Sequence, residues 1–287
     1  MFADDTNIFV SDKLETKVYE KANNLLHELQ MYMISNLLHI NYDKCVYMHF
    51  KPHINNENRK TCARSRIISN EPQLKINGIK LKKTDRARFL GVIIDENLNW
   101  DHHLNYLEEK LNSCIITVKR VKKFIPEDHY KKVYHSLFAS HLTYGITAWG
   151  CAGTSKLDKV FSIQKRCIRL LFGKKYSFDH AEFYQTCARV RTYSEHIAPK
   201  DYTLEHTKSI FKSNSLLTVH NLHKLYTINE VFKIMKFKIP ISLSEYYKTV
   251  NHPSLFKNHV VIPKYKKQKS RKQFLYQSTK LWNKYTM

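Results

Sequence analysis

The chain has 287 residues, 43% of them hydrophobic, which suffices for a buried core in one large domain or two modest ones and excludes disorder as its overall state. Its 48 Lys and Arg against 25 Asp and Glu leave a formal net charge of +23, a surplus that argues against an enzyme of small metabolites and for a polyanionic partner. The sequence shows no single long basic amphipathic helix, which favours nucleic acid over an anionic membrane surface as that partner.

The six cysteines, at 45, 62, 114, 151, 167 and 187, include no Cys-x-x-Cys pair and follow no secretory signal. A reducing, intracellular compartment is expected, with neither a disulfide framework nor a zinc module. Val133 to Ser155 lacks Asp, Glu, Lys and Arg and is long enough to span a bilayer, but it contains His135, His141, three glycines and several hydroxyl residues. It reads as a buried helix with its exit loop.

Phe2 to Val10 consists of two short apolar pieces around Ala3-Asp4-Asp5-Thr6-Asn7, a pattern that predicts a β-hairpin with carboxylates at its tip. Asp12-Lys13-Leu14-Glu15 has the form of a capping box. Leu14, Val18, Ala22, Leu25, Leu29, Met33 and Leu37 then recur at helical spacing, predicting an amphipathic helix from Lys13 to Leu38. After Asn41-Tyr42-Asp43, the run Cys45 to Phe50 alternates Val46, Met48 and Phe50 with Tyr47 and His49, as a half-buried strand does.

Lys51 to Pro72 lacks periodicity and reads as a surface loop. Beyond it, Asn77-Gly78 predicts a two-residue turn that pairs Ile76 with Ile79 and Leu74 with Leu81 on one face. That register sets Lys75 opposite Lys80 on the other face, a repulsive pairing that either a phosphate backbone or plain solvation would relieve. Arg88 to Asp95, with Phe89, Leu90, Gly91, Val92, Ile93 and Ile94, predicts a buried strand.

From Asp101 the pattern becomes helical, with Leu104, Leu107, Leu111, Ile115 and Val118 on one stripe and Lys110, Lys119, Lys122 and Lys123 elsewhere. Further helices are predicted at about Glu127 to Thr147, Ser155 to Leu171, within Ser194 to Phe211, and Val219 to Phe237. Lys264 to Lys272 is the densest basic run, close to Tyr265, Phe274 and Tyr276, and is a candidate contact for a single strand. The fold class expected is α+β, with hairpins and one helix up to about residue 97 and helices thereafter.

The Phe2-Ala3-Asp4-Asp5-Thr6 sequence resembles the aromatic-x-Asp-Asp turn of reverse transcriptases. In that family a long helix follows, then a strand preceded by Asn-x-x-Lys, then a hairpin with a Phe-Leu-Gly core. Here Asn41-Tyr42-Asp43-Lys44 precedes the strand, and Phe89-Leu90-Gly91-Val92 follows in the same order. Leu98-Asn99-Trp100-Asp101, Ser140 to Gly145 with Trp149-Gly150, Gln164 to Arg169 and Leu281-Trp282-Asn283 extend the likeness to non-LTR, LINE-type elements. The resemblance is strongest to about residue 171 and weaker over Lys174 to Lys200.

The resemblance implies a partial palm at 1–97, a helical thumb at 98–172 and a basic, mostly helical extension at 173–287. It implies Asp4 as a Mg²⁺ ligand and Asp5 as its neighbouring carboxylate, with a ligand or supporting role, in two-metal nucleotidyl transfer, and Lys44 as the general acid for the pyrophosphate leaving group. Phe89, Leu90 and Gly91 match the element that grips the primer end, and Lys75 and Lys80 are candidate phosphate contacts. RNA template, DNA primer or hybrid duplex, and dNTP are the implied partners, with no membrane and a nuclear location. The family also needs a further aspartate and fingers residues that would lie before Met1, so the isolated chain is expected not to polymerise DNA. Two rivals remain open: a non-catalytic nucleic-acid-binding remnant using the basic thumb, and a degenerate copy without selected activity. Asp101-His102-His103 reads as a helix start with surface or core histidines rather than a metal site.

Overall fold

The computed structural model describes residues 6–50, 73–173, 207–238, 240–248, 260–262 and 274–285. The expectations for Asp4 and Asp5, for the Lys51–Pro72 loop, for Lys174–Lys200 and for the basic run Lys264–Lys272 lie outside the described residues. So does most of the helix expected within Ser194–Phe211. The architecture is α+β, and the chain divides into two units, Met1–Asn99 and Trp100–Met287.

In the first unit, helix α1 spans Glu15–Ser35, shorter at both ends than its apolar spacing predicts. The capping box does not form, because Leu14 takes the N-cap position. Asp12 instead accepts the amides of Lys13 at 2.6 Å and Leu14 at 3.2 Å while its carboxylate pairs with Lys21 at 2.6 Å. At the other end Leu37 adopts a left-handed φ of 56°, its amide donating to Ile34 and that of Leu38 to Met33. That double closure satisfies two orphan carbonyls of the last turn.

Tyr19, Ala22 and Leu26 form the buried face of α1, packed on Leu74 and Ile76, whereas Leu14 and Leu25 of the predicted stripe are exposed. The face rotates because aromatic rings fill the core: Tyr47 and His49 sit edge-on to Tyr19, with centroids 6.4 and 5.9 Å away. The same contacts invert the expected register of Cys45–Phe50. Strand β1 is limited to Val46–Tyr47, and Val46 and Phe50 are exposed while Tyr47 turns inward.

Strands β2 (Lys75–Ile76) and β3 (Ile79–Lys80) form the predicted Asn-Gly hairpin, with Ile76 opposite Ile79 and Lys75 opposite Lys80. Asn77 and Gly78 have φ of 52° and 75°, the paired positive values of a type I′ turn. Polar side chains of α1 fasten this hairpin: Asn23 accepts the Lys75 amide at 3.2 Å and Gln30 that of Asn77 at 3.0 Å. Strand β4 (Lys82–Lys83) runs parallel to β1, and β5 (Arg86–Phe89) pairs antiparallel with β6 (Val92–Asp95). Arg88–Asp95 is therefore no single strand, because it is interrupted at Leu90-Gly91.

In the second unit, helix α2 (Asp101–Lys122) buries Leu104, Leu107, Leu111, Ile115 and Val118, as its stripe predicts. It packs against α5 (Thr154–Phe172) and a helical run that we label α3, made of Tyr130–Val133, a π-helical segment Tyr134–Ala139 and Ser140–Thr143. A short helix α4 (Ile146–Trp149) follows Gly145. Phe138, Leu142, Ile146 and Trp149 are fully buried, so the uncharged Val133–Ser155 stretch is core, as read from its composition. Among the described residues no helix is long and apolar enough to cross a membrane.

Helices α6 (Thr207–Ser213) and α7 (Val219–Phe237) close this core, and α8 (Ile241–Ser244) and α9 (Phe274–Tyr285) follow. A smaller apolar cluster joins Val231 and Ile234 of α7 to Tyr247, Val260 and Trp282.

Candidate active site and nucleic-acid interface

In the first unit the elements that carry Lys44, Lys75 and Lys80 flank one small core, and Phe89, Leu90 and Gly91 lie on a separate hairpin. The β5–β6 hairpin places Phe89 opposite Val92 and turns on Leu90 and Gly91, whose φ values are 45° and 81°. Both signs are those of a type I′ turn, which matches the twist of its strands. Glycine takes such a φ freely, whereas leucine in the left-handed region costs roughly 1 kcal/mol. Leu90 is exposed at the tip and Phe89 half-buried.

Phe9 lies edge-on to Phe89, with ring centroids 6.1 Å apart, and the next residue, Val10, packs on the α1 core. The segment that leaves Asp4-Asp5 is thereby held beside the Phe89 hairpin. Thr6 to Val10 form no strand, so the second limb of the predicted amino-terminal hairpin is absent among the described residues.

Lys44 ends a single 3₁₀ turn, Tyr42–Lys44, whose N-cap is Asn41. The Asn41 side chain accepts the Lys44 amide at 3.3 Å, which explains the spacing physically: the asparagine fixes the turn and the lysine projects, exposed, from its end. Tyr42 and Tyr47 on either side are anchored on the same core as Val10. Lys75 and Lys80 stand exposed and opposed on β2 and β3, and among the described residues neither forms an ion pair with an acid.

Asp12 is the described acid nearest in sequence to the Asp4-Asp5 pair. The Lys21 side chain and the Leu14 amide hold its pKa below the ordinary carboxylate range. Among the described residues no group of three or more His, Cys, Asp or Glu could hold a metal ion. Asp101 pairs with Lys156 at 2.5 Å, and His103 is buried beside Trp149 at 6.0 Å, its pKa lowered by that burial. The Asp101-His102-His103 sequence is thus a helix start with a core histidine.

In the second unit Lys122 has a structural place. Lys122 donates to the Leu170 carbonyl at 2.6 Å near the end of α5 and lies 5.1 Å from the Tyr130 ring centroid, and desolvation lowers its pKa. Two polar nodes escaped sequence reasoning. Fully buried Gln164 donates to Tyr134 Oη and the Leu217 carbonyl, both at 2.9 Å, and accepts the Val219 amide at 2.8 Å. Burial pushes the Tyr134 pKa up to about 12. Asn283 clamps Val260 through both backbone groups, at 2.9 and 2.8 Å. Gln164 and Asn283 sit inside the quoted Gln164–Arg169 and Leu281-Trp282-Asn283 motifs, and the one available signal was a polar residue on an otherwise apolar stripe.

The curated homologues of this chain are RNA-directed DNA polymerases of LINE-type, non-LTR retrotransposons. Over 175 residues, 60% of this chain, it is 23% identical to the RNA-directed DNA polymerase from mobile element jockey of Drosophila funebris. Over 177 residues it is 22% identical to the jockey polymerase of Drosophila melanogaster. A third relative, the probable RNA-directed DNA polymerase from transposon X-element of Drosophila melanogaster, is 22% identical over 36% of the chain and 12% of its own length. The matched stretch spans 18% of the length of either jockey protein. No family model and no solved structure matches the chain.

Proposed function

We propose that this chain supplies the distal palm (1–97), the thumb (98–172) and a basic extension (173–287) of a mobile-element reverse transcriptase, and that alone it does not polymerise DNA. The observation that carries the reading is the Phe89-Leu90-Gly91-Val92 hairpin, which follows the Asn41-capped Lys44 turn in a chain whose homologues are RNA-directed DNA polymerases. At its tip the missing Cβ of Gly91 leaves room for a primer end to approach the backbone.

Asp4 and Asp5 are assigned as ligands of Mg²⁺, a hard cation for which adjacent carboxylates are chemically suited donors. Divalent ions held there would supply charge neutralisation for in-line phosphoryl transfer. Lys44 is assigned to protonate the departing pyrophosphate, a task for an exposed ammonium at the end of a fixed turn. Phe89, Leu90 and Gly91 position the primer, and Lys75 and Lys80 meet phosphates of an RNA template, DNA primer or hybrid; dNTP is the substrate and the nucleus the expected site of action. The reading assigns the chain neither a bridging third aspartate nor nucleotide-binding fingers, which is why no turnover is expected.

Primer extension by the purified chain on an RNA template, with Mg²⁺ or Mn²⁺, tests this directly. No extension is expected. Template-dependent product abolished by Asp4→Ala would overturn the predicted inactivity.

A second reading, nucleic-acid binding without catalysis, is favoured by the turn between α2 and α3. Phe124 is 84% exposed there, and Arg120, Lys123, Lys131 and Lys132 are exposed along the same stretch of chain. Affinity for hybrid duplex that falls with rising salt is its expected signature.

A further inference from the structure

Helix α7 is apolar on two sides. Its inner side buries Val231 and Ile234, while its outer side carries Phe232, 44% exposed, and Phe237, 56% exposed. A helix that is apolar on both faces is ordinarily covered on both, so the outer face calls for an occupant. The two outer rings meet edge to face, with centroids 6.2 Å apart. Lys236 Nζ lies over both, 5.3 Å from the Phe232 centroid and 5.5 Å from that of Phe237. Lys233 and Lys238 are exposed nearby, and the one acid on this part of the helix, Glu230, pairs with Lys233 at 2.9 Å.

We propose that this outer face of α7 is a stacking site for single-stranded nucleic acid, with Phe232 and Phe237 as platforms for bases and Lys236 between them as the contact for a phosphate. Flat π surfaces beside a cation match the alternation of base and phosphate in an unpaired strand. A duplex hides its base faces and would gain only the charge. A protein partner has no comparable need for a lysine seated over two rings, and the excess of lysine over acid on this face favours a polyanion. The proposal rests on the nucleic-acid reading above and adds to it a place and a preference for unpaired strands.

The test uses the full chain with labelled oligouridylate, oligodeoxythymidylate and a hybrid duplex, followed by fluorescence anisotropy across a salt series. The double variant Phe232→Ala/Phe237→Ala is expected to lose about tenfold or more in affinity for the single strands and little for the duplex. Lys236→Gln is expected to lower the salt slope by about one. Because the double variant could disturb α7, Phe237→Trp provides an independent readout: it should keep wild-type affinity, and its added indole emission should be quenched by the single strands. Single strands bound equally by the double variant and wild type, or an indole indifferent to them, would overturn the stacking site while leaving the nucleic-acid reading intact. Absence of any salt-dependent binding by the wild type would remove both. Loss of binding to anionic vesicles in the double variant, with oligonucleotide affinity unchanged, would reassign the face to a lipid surface.

Discussion

The Met1–Asn99 unit holds its described strands in three separate two-stranded ladders, and among the described residues its buried apolar cluster is Tyr19, Ala22, Leu26, Leu74 and Ile76. In Trp100–Met287 a continuous apolar core runs from Leu104 through Phe138, Trp149 and Cys167 to Val219. The difference follows from secondary structure. Helices satisfy their own backbone and need only matching side-chain stripes, whereas a two-stranded ladder leaves open edges and is marginal without further strands or a helix against it. Among the described residues, the unit that carries the proposed catalytic residues thus has the smaller apolar core.

The largest expected effect separates the two units. Phe138→Ala, which empties a fully buried position, should cost about 3–5 kcal/mol, whereas Leu26→Ala should cost about 2 kcal/mol and only in the first unit. All three tryptophans, Trp100, Trp149 and Trp282, lie in the second unit, so indole fluorescence during urea unfolding reports that unit alone. Phe138→Ala should move the fluorescence transition and Leu26→Ala should not. A shift of that transition by Leu26→Ala would mean that the chain unfolds as one body, and the contrast would be lost.

A smaller effect concerns pH. Burial, reinforced by the positive charges of His220 and Lys224, lowers the pKa of His223 from 6.5 to about 4. In that interval the unfolded chain binds a proton that the folded imidazole refuses, so stability is full above 6.5 and is lost as pH falls towards 4. Thermal midpoints of the fluorescence transition should fall over this window, and His223→Gln should flatten the fall. An unchanged slope in that variant would assign the loss to other groups.

The smallest effect lies in the β2–β3 hairpin. Lys75→Glu replaces a like-charged pair with an opposite one and should stabilise the first unit by about 0.5 kcal/mol in circular-dichroism melts. If Lys75 meets phosphate, the same variant should bind hybrid duplex more weakly. Unchanged affinity would leave the lysines as solvated surface.

Sequence pattern was most informative where side-chain burial alone decides structure. The bounds of α7 coincide with the predicted Val219–Phe237, α5 differs by a residue at each end, and the Asn77-Gly78 turn fixed the Lys75–Lys80 register. It was least informative where a tertiary partner intervenes. Tyr19 drew Tyr47 and His49 inward and so reversed the alternation expected of Cys45–Phe50. Leu90 enters a left-handed conformation that its side chain disfavours, so Gly91 was the one local sign of the turn inside Arg88–Asp95. For the candidate site, the Asn41–Lys44 turn and the Phe-Leu-Gly hairpin were legible through the family resemblance. The outer face of α7 was missed because a helical stripe announces which residues can be buried, not which of two apolar sides will be.

The π-helical segment Tyr134–Ala139 gives α3 one residue more than a regular helix of its length would hold, and the Ser140 amide reaches back to His135 to close it. Everything after that surplus residue is turned by roughly 100° about the axis relative to an uninterrupted helix. That rotation sets the phase in which Leu142 is fully buried in the core. Removing a single residue from the bulge would swing the far half of the rod out of phase with its neighbours, a larger disturbance than most replacements of a side chain within it.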